Sequence, residues 1–117
     1  MKALTTQKCV PCESGIPRMT ETEINAYQEK VPEWDVVEVN DIHHLKRSFK
    51  FKNFVEALAF TNKIGELAEE QGHHPVIELT WGRATVEWWT HNIDGLHKND
   101  FIMAAKTSQA YQKMDSN

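Results

Sequence analysis

The clearest signal along the chain is the alternation of apolar and polar residues across 76–88. Such alternation is typical of antiparallel strands that bury one face and expose the other. Gly82-Arg83 fits a two-residue turn whose first residue needs a positive φ. One face of this hairpin then carries a set of apolar residues: Ile77, Leu79, Trp81, Ala84, Val86 and Trp88. The same register places Glu78 opposite Glu87, an unfavourable pairing that a cation from elsewhere would offset.

A second hairpin is predicted nearer the N-terminus. Residues 34–39 and 42–51 have the composition of strands. Asn40-Asp41 lies between them and tolerates the positive φ angles of a two-residue turn. In this register the two strands pair apolar with apolar and polar with polar positions.

Capping signals predict a short first helix and a long last one. Thr20 and Glu23 form a capping box, and the helix that follows should end near Glu29. The last helix is predicted over 98–113. Its inward positions are Phe101, Ala104, Ala105 and Ser108.

The middle helix is predicted between Asn53 and Gly72. Asn53 and Glu56 form a second capping box, and Gly72 can end the helix in the left-handed conformation. One apolar stripe is expected to face the core: Phe54, Leu58, Thr61, Ile64, Leu67 and Ala68.

These elements follow the order α-β-β-α-β-β-α. Two hairpins and three helices predict an α+β fold, a four-stranded antiparallel sheet with the helices on one face. We expect residues 1–19 to form an irregular N-terminal arm and residues 20–117 to form a single domain.

Composition narrows the function classes. The chain has 117 residues, 40% of them hydrophobic, and a formal net charge of −4. The acidic balance argues against direct nucleic-acid binding, and no apolar run is long enough to cross a membrane. We expect a cytoplasmic protein. Cys9 and Cys12 form half of a zinc or redox motif without a second half, so we expect no chemical role for them.

Three histidines converge in the predicted register. His91 falls opposite His74, beside the His73-His74 pair, at the hairpin end away from the turn. Pro75 forces His74 into extended backbone, and Glu69 lies one helical turn before His73. Several imidazoles in one cleft suit a reaction that moves protons to and from a substrate near neutral pH.

Two other interpretations of this cluster stay open. Adjacent histidines are common on protein surfaces, where they have no function. Three histidines and a carboxylate are also zinc ligands, but neither H-E-x-x-H nor H-x-H spacing occurs. We therefore expect no metal here.

A second doublet, His43-His44, serves as a comparison. Nothing in the predicted register converges on it, and we interpret it as solvated surface. Trp89 falls opposite Val76 on the polar face, which makes it a candidate for lining a ligand or an interface.

The histidine segment resembles the signature of the pterin-4a-carbinolamine dehydratases. The similarity covers about residues 20–113. The residues that carry it are Glu69-Glu70-Gln71-Gly72-His73-His74-Pro75, Trp81, Thr90-His91-Asn92 and Asp100.

The resemblance implies a function. The family dehydrates 4a-hydroxytetrahydropterin to quinonoid dihydropterin, which recycles the pterin cofactor of aromatic amino acid hydroxylases, and no metal or organic cofactor takes part. Its three active-site histidines match His73, His74 and His91. Members form homodimers or homotetramers. The alternative is a non-enzymatic oligomerisation or regulatory partner of the same fold.

Two positions depart from the family pattern. Gly72 stands where animal members often have Asp. His97 replaces the usual Thr or Ser at the start of the last helix, which should weaken its cap pairing with Asp100. We expect Asp100, like Glu69, Pro75 and Trp89, to bind substrate or support the site.

Overall fold

The computed structural model describes residues 4–10 and 17–115. Cys12 lies outside these ranges. The elements are, in chain order, a 3-10 turn (Leu4–Thr6), α1 (Glu21–Gln28), β1 (Asp35–Val39), β2 (Ile42–Lys50), α2 (Phe54–Gln71), β3 (Val76–Thr80), β4 (Arg83–Trp88), a second 3-10 turn (His91–Ile93) and α3 (Lys98–Asp115). This is the predicted order, with a four-stranded antiparallel sheet and three helices. None of the helices in the described ranges is long and apolar enough to cross a bilayer.

The sheet has the strand order β1-β2-β4-β3, so that β2 and β4 are its central strands. The register of the first hairpin is as predicted, with Val36 opposite Leu45. Asn40 and Asp41 have φ angles of 52° and 66°, as their turn requires. The capping box at Thr20 is also present.

The register of the second hairpin differs from the prediction by two residues. Thr80 pairs with Arg83, so the turn consists of Trp81 and Gly82. Gly82 is needed here for space, because a Cβ at this position would lie 3.1 Å from the carbonyl oxygen of Phe51. The amide of Phe51 donates to the carbonyl of Gly82 (2.9 Å), which ties this turn to the end of β2.

This shift corrects two predicted pairings in the ladder. Glu78 faces Thr85, and Glu87 faces Val76 on one side and Lys46 on the other, so the predicted pairing of Glu78 with Glu87 is wrong. Lys46 is the cation that lies beside Glu87 in the ladder. The predicted placement of Trp89 opposite Val76 is wrong for the same reason.

The core lies between one face of the sheet and helices α2 and α3. Its largest fully buried side chains include Trp34, Phe49, Phe60, Trp88 and Phe101. Trp81, predicted to be in the core, is 69% exposed because it lies in the turn.

Helix α2 buries only part of the predicted stripe, because Ile64 and Ala68 are buried as predicted and the first turns differ. The buried residues are Ala57, Phe60, Ile64 and Ala68. Phe54 and Leu58, predicted to face inward, are exposed. The ring of Phe60 packs on Phe49 at a centroid distance of 4.8 Å, so Phe60 takes the inward position in this part of the helix.

Candidate active site

The junction between α2 and β3 positions the histidine doublet. Gly72 ends α2 with a φ of 64°, in the left-handed region that glycine adopts without strain. The amide of His73 then donates to the carbonyl of Ala68 (3.1 Å), which folds the chain back against the helix end. His73 is therefore buried, whereas its neighbour His74 is exposed.

His73 forms a close pair with Asp100. Its Nε2 lies 2.6 Å from Oδ1 of Asp100, a fully buried carboxylate, and its ring stacks on Trp88 at 5.7 Å with 10° between the planes. An ionised carboxylate only accepts hydrogen bonds, so Nε2 carries a proton and only Nδ1 can exchange one with a substrate. The pair fixes both the orientation and the tautomer of the imidazole.

The other oxygen of Asp100 is held at the beginning of α3. The hydroxyl of Thr90 donates to Oδ2 (2.8 Å), and so does the backbone amide of His97 (2.9 Å). Both carboxylate oxygens are therefore satisfied in a site without solvent exposure, as a buried charge requires. These contacts fix the position of His73 relative to the loop that carries His91.

His97 caps the beginning of α3 with a ring nitrogen, where a Thr or Ser hydroxyl was expected. Its Nδ1 accepts a hydrogen bond from the backbone amide of Asn99 (3.1 Å), and its own amide donates to Asp100. The cap pairing that the sequence suggested to be weakened is thus present. It requires an unprotonated Nδ1, and burial lowers the pKa of His97 accordingly, against the opposing effect of Asp100.

His74 has a partner of its own. Its Nε2 lies 3.3 Å from Oε2 of Glu69, and both side chains are largely exposed. Glu69 therefore supports His74 and not the buried His73. Pro75 follows His74 and is half-buried at the entry to β3.

His91 reaches the site from a small closed loop. It is the first residue of the second 3-10 turn, beyond the end of β4. The prediction that it pairs with His74 in the ladder is therefore wrong. Two backbone hydrogen bonds between Thr90 and Gly95 close the loop. The ring of His91 lies against Trp89, with the centroids 4.3 Å apart and 37° between the planes.

Trp89 in turn is covered by His44. The two rings are stacked, with centroids 3.8 Å apart, and His44 is only 6% exposed. The interpretation of His44 as solvated surface is therefore wrong. Its Nδ1 is buried without a hydrogen bond and lies 3.9 Å from Glu87. Burial lowers the pKa of His44, although Glu87 opposes this change.

His73, His74 and His91 line one cleft of about 410 Å³. Its lining comes from the N-terminal arm, the end of α2, the loop after β4 and the beginning of α3: Cys9, Val10, Gln71, Gly72, His73, His74, Thr90, His91, Asn92 and Asn99. The three predicted histidines thus meet in one cleft. Glu69, Pro75, Trp89 and Asp100 are not among the described residues that line it.

Sequence reasoning missed several residues around the cleft. Thr90 lies beside His91 in the family signature, and that position was the available signal. Asn99 and Cys9 gave none, because their contacts join distant parts of the chain. Burial, with a smaller effect of Asp100, raises the pKa of the Cys9 thiol to about 11. Within the described ranges no three His, Cys, Asp or Glu side chains are grouped to hold a metal.

Comparisons with known proteins agree with this picture. The model of the Pterin 4 alpha carbinolamine dehydratase family matches residues 17–110. Two curated relatives carry a provisional name as pterin-4-alpha-carbinolamine dehydratases. The one from Marinobacter nauticus is 53% identical over 95% of this chain and 100% of its own, and the one from Nitrosococcus oceani is 54% identical over 93% and 96%.

A solved structure is also similar. The transcriptional coactivator/pterin dehydratase from Brucella melitensis superposes with a TM-score of 0.73 at 32% identity, over 80% of this chain and 98% of that one. With a family match across most of the fold and relatives that share about half of its residues, the chain belongs to the pterin-4a-carbinolamine dehydratase family.

Proposed function

We propose that this chain dehydrates 4a-hydroxytetrahydropterin to quinonoid dihydropterin and water by histidine acid/base catalysis. The observation that carries the proposal is the cleft in which His73 and His74, from the end of α2, meet His91, from the loop after β4. Family membership supports the substrate class.

The reaction needs two proton movements. The N5 lone pair forms the N5–C4a double bond while the C4a–O bond breaks, the departing hydroxide takes up a proton, and N5 loses one. Hydroxide is a poor leaving group, so the acid that protonates it matters most. A positioned acid or base contributes about 10²–10⁴-fold.

We assign these roles to His73 and His91. His73 presents Nδ1 as its exchangeable atom, because Asp100 engages Nε2. The carboxylate of Asp100 also holds the His73 ring in one orientation during this exchange. His91 lies on a separate loop, so the two rings approach a planar substrate from different segments of the chain. His74, paired with exposed Glu69, binds and orients the pterin.

The physiological setting is part of the proposal. We propose that the protein acts in the cytoplasm as a homodimer or homotetramer and returns the pterin cofactor to an aromatic amino acid hydroxylase. Light scattering on the purified protein measures the oligomeric state. A hydroxylase assay with limiting pterin, run with and without this protein, measures the recycling.

The direct test supplies the carbinolamine and follows dihydropterin formation by absorbance. We expect enzyme-dependent acceleration over the spontaneous dehydration. The alternative function is that of a regulatory partner, which the description of the Brucella melitensis protein as a transcriptional coactivator/pterin dehydratase keeps open. A folded protein that leaves the spontaneous rate unchanged would favour the regulator and reject the enzyme.

A further inference from the structure

Residues 4–10, the part of the N-terminal arm that the structure describes before residue 17, are fastened to the body of the protein at both ends, and this segment is called the arm below. Leu4 is buried in the core, and Nζ of Lys106 donates to the carbonyl of Thr5 (2.9 Å). At the other end, the amide of Cys9 donates to Oε1 of Gln71 (2.9 Å). The arm lies before the family match, which begins at residue 17.

Asn99 holds the end of the arm as a neighbouring strand would. Its Nδ2 donates to the carbonyl of Val10 (2.8 Å), and its Oδ1 accepts from the amide of Val10 (3.0 Å). The Cys9 thiol adds a contact to the carbonyl of Asn99 at 3.9 Å. Asn99 is 2% exposed, so these bonds replace water at a buried amide.

Gln71 and Asn99, which hold the arm, belong to the two helix ends that lie next to His73. Gln71 is the last residue of α2, two positions before His73, and Asn99 precedes its partner Asp100 in α3. The arm therefore bridges the two helices across the cleft, and Cys9 and Val10 form part of its lining.

We infer that Cys9 and Val10 form a wall of the pterin cleft, that residues 4–8 anchor this wall to the body of the protein, and that Gln71, Asn99 and Lys106 are positioning residues that hold it closed. The inference rests on the proposed function. It assigns to the arm the part of substrate affinity that comes from enclosing the ring, while the proton transfers stay with the histidines.

The Cys9 thiol reports whether the arm is docked. Thiolate is the form that reacts with alkylating reagents, and in the docked arm the pKa of Cys9 is about 11. The docked thiol is thus protected and the released thiol is reactive. The experiment measures alkylation of Cys9 by iodoacetamide in a full-length chain carrying Cys12→Ser, with and without a saturating 7,8-dihydropterin.

Two variants loosen the arm from opposite ends. Gln71→Met removes the acceptor for the Cys9 amide, and Lys106→Met removes the tether at Thr5, outside the cleft. Each should accelerate alkylation by about 2- to 12-fold, the effect of one lost hydrogen bond. Lys106 lowers the pKa of Cys9, so its removal alone would slow alkylation. Acceleration in Lys106→Met therefore reports release of the arm.

The controls match the chemistry of each change. Gln109→Met and Lys63→Met alter exposed helix residues of the same types and should leave the alkylation rate unchanged. Gln71→Glu retains an acceptor for the Cys9 amide and should restore slow alkylation. Lys106→Met, whose side chain is not in the cleft lining, should raise KM and keep kcat within twofold, so that a change in KM reports release of the arm and not a lost contact of Gln71.

The dihydropterin decides whether the docked arm belongs to the binding wall. A bound ring that contacts the arm should slow alkylation of the parent by tenfold or more. Equal rates with and without dihydropterin in a chain that turns over the carbinolamine would overturn the inference, as would variants alkylated at the parent rate. A parent chain without turnover would instead reject the proposed function, and dihydropterin protection would still report the wall.

Discussion

His44 and Trp89 lie face to face on the outer side of the sheet, with ring centroids 3.8 Å apart and 1° between the planes. Trp89 contacts His91 with its ring. His44 is thus a buried support beneath a residue of the candidate site, although its own ring is not among the described residues that line the cleft.

The first prediction concerns this support. His44→Ala removes a stacked ring and should lower the free energy of unfolding by about 0.5–1.5 kcal/mol, the range for an aromatic pair. It should also reduce kcat, because Trp89 and with it His91 lose their position. His44→Phe keeps an aromatic face and removes the buried unpaired Nδ1, so stability should be equal or higher. Urea denaturation and steady-state kinetics measure both effects.

His43→Ala is the matched control, since His43 belongs to the same doublet and is only half-buried. It should change neither quantity. If His44→Ala retained full activity and stability, the stacked pair would have no role in holding His91.

The second prediction concerns the buried carboxylate. Asp100→Asn keeps the shape of the side chain but removes the charge that orients His73 and accepts from Thr90 and His97. In metal sites, carboxylates that orient a ligating histidine contribute about 10–100-fold to activity, and we expect a factor of this size for the orientation of His73. We expect kcat to fall by that factor and the pH profile of kcat to shift. Circular dichroism of the variant separates this effect from unfolding, and an unchanged pH profile would argue against coupling between the two residues.

The third prediction divides the labour among the histidines. His73→Ala and His91→Ala should each lower the dehydration rate by about 10–10⁴-fold, the scale of losing a general acid or base. His74→Ala should mainly raise KM, because its exposed ring pairs only with Glu69 among the contacts described. Equal losses of kcat in all three variants would reject the assignment of His74 to orientation.

The first hairpin and the capping box at Thr20 were predicted correctly, because residues close to each other in the sequence determine them. Asn40 and Asp41 are residues that tolerate the positive φ angles of a two-residue turn, and both adopt such angles. The first hairpin could therefore be predicted from these two residues. The second turn depends on the approach of Gly82 to Phe51 of another hairpin, which no local pattern contains. Side chains alternate between the two faces of a sheet, so a register error of two residues leaves each side chain on its predicted face. For that reason the buried positions of β4 were still assigned correctly.

The site was predictable to a similar extent. The ends of a hairpin lie together whatever its turn, so His91 comes near His73 even though it lies beyond the ladder. The burial of His44 was not predictable, because it follows from the pairing of β2 with β4. Asn99 and the arm are far apart in sequence, and only the folded chain joins them.

The fourth prediction concerns metals. Proton transfer alone suffices for the proposed dehydration, and the resemblance implies no cofactor. Protein treated with a chelator and then freed of it should therefore turn over at the rate of untreated protein. Loss of activity that zinc restores would show a metal requirement and overturn the proposed mechanism.

The last prediction is a dependence of stability on pH. Burial lowers the pKa of both His44 and His97 below the ordinary value of 6.5. The unfolded chain therefore binds more protons than the folded chain between 6.5 and the lowered values, and the free energy of unfolding should decrease as the pH falls through that window. His97 has a structural reason as well, since protonation of Nδ1 abolishes the acceptor for the Asn99 amide.

His97→Ser and His44→Phe test this origin one residue at a time. Serine is a good helix cap that does not titrate in this range, and phenylalanine keeps the stacked ring without a proton site. Each variant should show a smaller loss of stability than the parent between about pH 7.5 and pH 5, in urea denaturation curves measured in steps across the window. The double variant should show the smallest loss, because the two sites titrate in the same direction. A parent curve that stayed level from pH 7 to pH 5, or variants as sensitive to acid as the parent, would mean that neither imidazole links folding to protons.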